Sequence, residues 1–77
     1  MQLPEGATAV TAPFVSTVWQ VSARPGDRVE AGGRILALEA MKMETPVVAP
    51  HAGEVLEVYV RPGEQVAPGQ VLAAVRA

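Results

Sequence analysis

The chain has 77 residues and no cysteine, which allows one small domain without disulfide bonds or thiolate metal sites. Six basic and eight acidic residues give a formal net charge of −2, which disfavours nucleic acid and anionic membranes as partners, because both need a dense positive surface. The single histidine, the lack of a long apolar run and the lack of a secretory signal predict a cytoplasmic domain that holds no metal and spans no membrane.

The composition predicts an all-β fold. Valine-rich runs are interrupted by seven glycines and seven prolines, a pattern typical of short strands joined by tight turns. A domain of this length buries only roughly 60–65% of its unfolded surface. We therefore expect a compact, closed arrangement.

The chain contains an internal repeat. Residues 11–40 align without a gap with residues 48–77, at an offset of 37 residues, and eleven of the 30 aligned positions are identical. The identical positions include a whole Arg-Pro-Gly turn, which an acidic residue follows in both copies. The repeat predicts one domain over residues 1–77, a flattened sandwich or barrel with internal pseudo-two-fold symmetry.

Each repeat predicts the same elements in the same order. Pro followed by Gly favours a type II turn, because proline presets φ and glycine accepts a positive φ. Val18 and Val21 are three residues apart, which breaks the alternation of a regular strand and predicts a β-bulge. The predicted elements are strands at 17–23 and 54–60, turns at 24–27 and 61–64, turns at 32–33 and 68–69, and last strands at 34–39 and 71–76.

The segment 41–47 joins the two repeats and holds Lys42, the only lysine of the chain. By symmetry its counterpart is residues 4–10 with the C-terminus, so the chain ends should meet at the end of the domain opposite this segment. An amine can act as a nucleophile or be acylated, which a guanidinium cannot. On a strand, Met41 and Met43 would share one face, where methionine commonly fills core gaps, and Lys42 would point into solvent.

The motif Glu39-Ala40-Met41-Lys42-Met43 resembles the biotin attachment motif of biotinyl domains, the biotin carboxyl carrier proteins of the biotinyl-lipoyl attachment family. The resemblance covers about residues 9–75 and includes the Gly-Asp-x-Val-x-x-Gly rhythm from Gly26 and Ala-Pro-His-Ala-Gly at 49–53. It implies a flattened barrel-sandwich hybrid of two four-stranded halves, with the lysine on a β-hairpin turn remote from the termini. Ser16 stands where many members have glycine. The strands of the first half are not separated by an insertion, so we do not expect the protruding thumb that some carriers have.

The resemblance also implies a function. Lys42 would accept biotin from a biotin protein ligase through an amide, Met41 and Met43 would favour this lysine as the substrate, and Glu39 and Ala40 would lead into the turn. The domain would be a non-catalytic carrier. It would carry carboxybiotin between the biotin carboxylase and carboxyltransferase sites of a biotin-dependent carboxylase.

The acceptor substrate of that carboxylase stays open between acetyl-CoA, propionyl-CoA, pyruvate and urea. The stretch Val18-Trp19-Gln20-Val21 is similar to carriers of urea carboxylase type. A free-standing carrier and the C-terminal domain of a longer polypeptide both stay open; the end of the repeat at Ala77 is as expected for the second.

Three other readings compete with a biotin carrier. A lipoyl domain would share the fold and the lysine, although its lysine usually follows Asp and precedes a small residue. An unmodified barrel-sandwich assembly module would normally lack the lysine. A small enzyme with Lys42 as a Schiff-base nucleophile would need a desolvating pocket and partner groups such as Glu39 and Glu44.

Overall fold

The computed structural model describes residues 2–77, and this part of the chain consists of β-strands, turns and loops. The strands form two four-stranded antiparallel sheets, in the orders β1-β8-β6-β3 and β5-β4-β2-β7. The predicted all-β fold is confirmed. The strands are β1 (Thr8–Thr11), β2 (Ser16–Val21), β3 (Arg28–Val29), β4 (Arg34–Ala40), β5 (Met43–Val48), β6 (Gly53–Val58), β7 (Gln65–Val66) and β8 (Val71–Arg76).

Both repeats contribute strands to both sheets. The first sheet takes β1 and β3 from the N-terminal half of the chain and β6 and β8 from the C-terminal half, and the other sheet takes the counterpart of each strand in the opposite half. This interleaving gives the pseudo-two-fold symmetry that the repeat predicts. The two sheets face each other as a sandwich and do not close into a barrel. Within residues 2–77 there is no helix with the length and apolar character needed to cross a membrane.

The Arg-Pro-Gly turns have the predicted type II character. Gly26 and Gly63 both have a φ of 96°, which the glycine of a type II turn requires. The Asp27 N–H donates to the Arg24 carbonyl at 3.0 Å, and the Asp27 carboxylate accepts a bond from the Arg24 N–H at 2.9 Å. The acidic residue that follows each Arg-Pro-Gly thus closes the turn from both sides.

These turns also join the two sheets. The Gly26 N–H donates to the carbonyl of Val55 at 2.8 Å, and the Gly63 N–H donates to the carbonyl of Val18 at 2.7 Å. Each turn therefore bonds to a strand of the other repeat.

The first strand of each repeat is shorter than predicted. β2 ends at Val21, two residues before the predicted end. Ser22 and Ala23 both donate their N–H groups to the one carbonyl of Ile35, at 2.9 and 3.1 Å, so the regular ladder stops there. The predicted bulge is confirmed, because the register of β2 against β4 shifts between Val18 and Gln20.

The start of β1 and the end of β8 meet at the end of the sandwich opposite the β4–β5 hairpin, as the symmetry predicts for the chain ends; Met1 lies outside the described residues. β1 pairs with β8, which brings the two ends together. β2 starts beside the hairpin, where Thr17 pairs with Glu39, and runs to the turn at 24–27. That turn bonds to Val55, which pairs with Val75 near the C-terminus. The molecule measures 33 × 24 × 16 Å.

The core lies between the sheets and is centred on β4 and β8. Four consecutive residues of each strand are buried, Ile35–Leu38 and Leu72–Val75, and each strand has a neighbour on both sides in its sheet. The core is aliphatic, and no aromatic side chain is among its buried residues.

Gly53 and Ser16 occupy equivalent positions in the repeats but different surroundings. A Cβ atom at Gly53 would lie 2.3 Å from the backbone oxygen of Arg76, far inside van der Waals contact. Ser16 is buried, and its hydroxyl donates to the carbonyl of Phe14 at 3.1 Å. The serine is therefore accommodated in the first repeat, whereas the second repeat requires glycine.

Replacing this glycine, in Gly53→Ser, is expected to lower the free energy of unfolding by about 1–3 kcal/mol, because the end of β8 must move away from the new side chain. Urea denaturation followed by circular dichroism measures the change. The reverse replacement, Ser16→Gly, is the matched control and should cost about 1 kcal/mol for one hydrogen bond. A larger loss for the control than for Gly53→Ser would contradict this account.

Candidate functional site

The β4–β5 hairpin has a two-residue turn at its tip. Glu39 pairs with Glu44 and Ala40 pairs with Met43, which leaves Met41 and Lys42 as the two central residues. Their φ values are 52° and 65°. Positive φ at both central positions is the mark of a type I′ turn, whose twist matches that of the flanking strands.

Lys42 lies on a β-hairpin turn, as the resemblance implied, whereas the interpretation of Met41 and Met43 as core residues on a strand is wrong. Met41 is 95% exposed and Met43 is 69% exposed, so neither fills a gap in the core. An extended strand cannot reverse direction, and the two-residue connection between the paired strands β4 and β5 is made with positive φ at both central residues. Lys42 is exposed at this tip.

The tip adopts this conformation without the residues that usually favour it. Type I′ turns prefer Asn-Gly or Asp-Gly, and a left-handed conformation costs roughly 1–2 kcal/mol for a residue with a Cβ atom. Met41 and Lys42 both carry that cost. The turn with Met41 and Lys42 is therefore less stable than the same turn with Asn-Gly would be, which is typical of strained positions at functional sites.

The hairpin tip carries two carboxylates, those of Glu39 and Glu44, and one cation, Lys42. Glu39 and Glu44 lie directly opposite each other on β4 and β5, and both are exposed. Like charges facing each other across two strands are destabilising. Lys42, two residues from Glu44, is the only cation on this hairpin turn, so acylation of its amine would leave the tip purely anionic.

An apolar groove of about 480 Å³ lies beside the lysine turn. The loop between β1 and β2 supplies Phe14 and Val15, which are 36% and 67% exposed. Sequence reasoning missed these two residues as part of the site, because the fold brings them there from a distant part of the chain. The only signal was that they differ from His51 and Ala52 at the equivalent positions of the second repeat. The groove is lined by Phe14, Val15, Ala40, Met41, Met43 and Thr45.

The geometry disfavours the reading of the chain as a Schiff-base enzyme. A lysine nucleophile of that kind needs a desolvated amine, whereas Lys42, Glu39 and Glu44 are all exposed. Nor do the residues from 2 to 77 include a cluster of three His, Cys, Asp or Glu side chains that could hold a metal ion. An exposed amine on a projecting turn is suited to modification by another protein.

Two proteins of known function are similar to this chain in sequence. The gamma subunit of glutaconyl-CoA decarboxylase from Acidaminococcus fermentans is 49% identical over 41 residues, which are 53% of this chain and 28% of that subunit. The 1.3S subunit of methylmalonyl-CoA carboxyltransferase from Propionibacterium freudenreichii subsp. shermanii is 50% identical over 36 residues, 47% of this chain and 29% of that subunit. The matched segments therefore span less than a third of either relative.

Two solved structures match the fold. Urea carboxylase from Kluyveromyces lactis superposes with a TM-score of 0.91 and 31% identity, over 97% of this chain and 7% of that enzyme. The lipoyl domain of the 2-oxoglutarate dehydrogenase complex from Azotobacter vinelandii superposes with a TM-score of 0.73 and 23% identity, over 90% of this chain and 98% of that domain. The second likeness concerns the fold alone.

A family model described as biotin-requiring enzymes matches residues 1–75, and the chain belongs to that family. It is a biotin carrier domain, homologous to subunits and domains of carboxylases. The resemblance seen in the sequence and the expectation of a covalently attached biotin are thereby confirmed.

Proposed function

We propose that Lys42 is the residue to which biotin is attached, and that the domain carries the group between two active sites of a biotin-dependent carboxylase. The position of the lysine is the observation that supports this most directly. The only lysine of the chain lies at the tip of a two-residue turn, at the end of the sandwich opposite the chain ends. A group attached there projects away from whatever holds the termini.

The residues around Lys42 have distinct roles in this proposal. Ala40 and Met43 close the turn by pairing with each other, and Met41 and Met43 present exposed thioether side chains on either side of the amine. A biotin protein ligase would recognise this tip and form an amide between the lysine Nζ and the biotin carboxyl group, with the overall loss of one water. The exposed Glu39 would leave the turn accessible from the β4 side.

The domain contributes position rather than chemistry. When attached, biotin supplies a ureido nitrogen that accepts and releases a carboxyl group. A rigid sandwich with the lysine at one end and the tether at the other keeps that group at high effective concentration near both sites. We expect the biotin carboxylase and carboxyltransferase partners to lie in the cytoplasm, in keeping with a chain that has no cysteine.

Incubation with a biotin protein ligase, ATP and biotin is expected to raise the intact mass by one biotin less one water. The variant Lys42→Arg should gain nothing, because its guanidinium keeps the charge but offers no amine to acylate. Circular dichroism should show that the variant keeps the fold. A gain by the variant, or a gain only with lipoate and its ligase, would contradict the proposal.

A further inference from the structure

The two ends of the sandwich differ at one pair of symmetry-related contacts. Near the chain ends, the Thr8 hydroxyl lies 2.9 Å from the His51 Nε2. At the hairpin end, the positions 37 residues away are Thr45 and Phe14. The phenyl ring has no polar atom, so Phe14 cannot repeat the contact between Thr8 and His51; Thr45 and Phe14 instead line one groove.

The next position in the chain, residue 15, also carries a larger apolar side chain than its equivalent in the second repeat. Val15, 67% exposed, stands at the position of Ala52 in the second repeat. Together these differences give the groove beside the lysine turn a larger apolar surface and a single hydroxyl. Its volume of about 480 Å³ lies within the ~300–1,000 Å³ that is usual for small-molecule sites.

We infer that this groove, called here the Phe14–Thr45 groove, is a resting site for the biotin arm carried by Lys42. The inference rests on the proposed attachment to that lysine. The aliphatic chain and the sulfur-containing ring of the arm pack against Phe14, Val15 and Met43, and the Thr45 hydroxyl bonds to a polar group of the arm, its amide or its ureido group. Apolar walls with a few polar groups are typical of sites for small organic molecules.

The position of the lysine favours its own arm as the occupant over a free molecule. Met41 and Met43, the residues on both sides of Lys42, line the groove. A group held on such a short tether has an effective concentration in the millimolar range, so even a weak site is occupied. A docked arm covers exposed apolar surface between visits to the partner sites, and leaves when a partner offers a better site.

The test compares the methyl NMR spectra of three forms of the domain: unmodified, biotinylated at Lys42, and acetylated at Lys42. Acetylation is selective among side chains because the chain has only one lysine, and it removes the same charge without adding the ring. The biotinylated form is expected to show shifted methyl signals of Val15, Met43 and Thr45 and cross-relaxation with biotin protons. The acetylated form should show neither effect at Val15.

Two variants complete the test. The double variant Phe14→His, Val15→Ala places at the hairpin end the two residues that occupy the equivalent positions of the second repeat, His51 and Ala52. Because it removes two apolar walls of the groove, it should abolish the contacts between biotin and Met43. Val48→Ala removes another exposed apolar side chain, which is 42% exposed and lies outside the groove, and should leave the contacts intact.

The outcomes separate the two proposals. A biotin adduct confirmed by mass, with spectra equal to those of the acetylated form, would overturn the resting site and leave the carrier assignment standing; the groove would then be covered only by a partner enzyme. Shifts that grow with protein concentration would assign the groove to a second copy and also overturn it. Absence of any adduct at Lys42 would remove the proposed function and the resting site together.

Discussion

Exchanging the two residues of the hairpin turn, in the double variant M41K/K42M, is expected to slow biotin attachment at least ~100-fold, because a misplacement of about 1 Å can cost that much in a positioned reaction. The pairing of Ala40 with Met43 defines the turn, and a slip of one residue would turn every side chain of β5 to the other face. The backbone therefore stays in place, and only the amine moves. The variant keeps the composition and charge of the chain, but its lysine follows Ala40 rather than a methionine, so the control must replace the thioethers alone.

The time course of the intact mass under fixed ligase, ATP and biotin measures this rate. The double variant M41L/M43L is the matched control, since it keeps the lysine at the second turn position and replaces both thioethers by apolar side chains of similar size. It should be modified faster than M41K/K42M. Equal rates for M41K/K42M and the unaltered chain would show that the turn geometry does not select the lysine.

Truncating one core side chain, in Leu72→Ala, is expected to lower the free energy of unfolding by about 2–5 kcal/mol. Leu72 is fully buried and lies in β8, which is hydrogen bonded to β1 on one side and to β6 on the other, so β8 cannot shift freely to fill the cavity. A chain of this length has a total stability of about 4–12 kcal/mol, at roughly 0.05–0.15 kcal/mol per residue. The thermal midpoint of the variant should therefore fall by at least about 8 °C, at roughly 4–8 °C per kcal/mol for a domain of this size.

Thermal and urea denaturation measure this loss. The control Leu72→Met keeps the volume of the side chain and should cost less than ~1.5 kcal/mol. The same two variants tested in the biotin attachment assay should show that modification follows the folded fraction. A Leu72→Ala variant as stable as the control would mean that the core does not centre on β8.

The alternation of strands and turns could be predicted from the sequence because its signals are local. Proline and glycine at 25–26 set the turn whatever the rest of the chain does, and the spacing of Val18 and Val21 marks a bulge that the register of β2 against β4 confirms. The repeat added the symmetry. The interleaving of strands from both repeats depends on long-range hydrogen bonds such as Gly26 to Val55, which no local pattern specifies.

The candidate site could be predicted in part. The lone lysine and its flanking residues pointed to the hairpin, but Met41 and Lys42 lack the asparagine or glycine that signals a type I′ turn, so their positive φ values could not be foreseen. The apolar groove could not be foreseen either, because Phe14 and Val15 lie more than 25 residues from the lysine and reach it only through the pairing of β2 with β4.

The interleaved sheets also bear on how such a domain can be assembled. One repeat alone supplies only part of each sheet, so a half-length peptide would bury its apolar faces only by dimerising with a second copy. Such a homodimer would have identical ends and would come apart on dilution. Joining the two copies in one polypeptide makes assembly independent of concentration. It also makes the two ends of the sandwich different, because one holds the ends of the chain and the other holds the turn with its single amine. A fused pair can therefore carry one arm per sandwich, with a defined front and back.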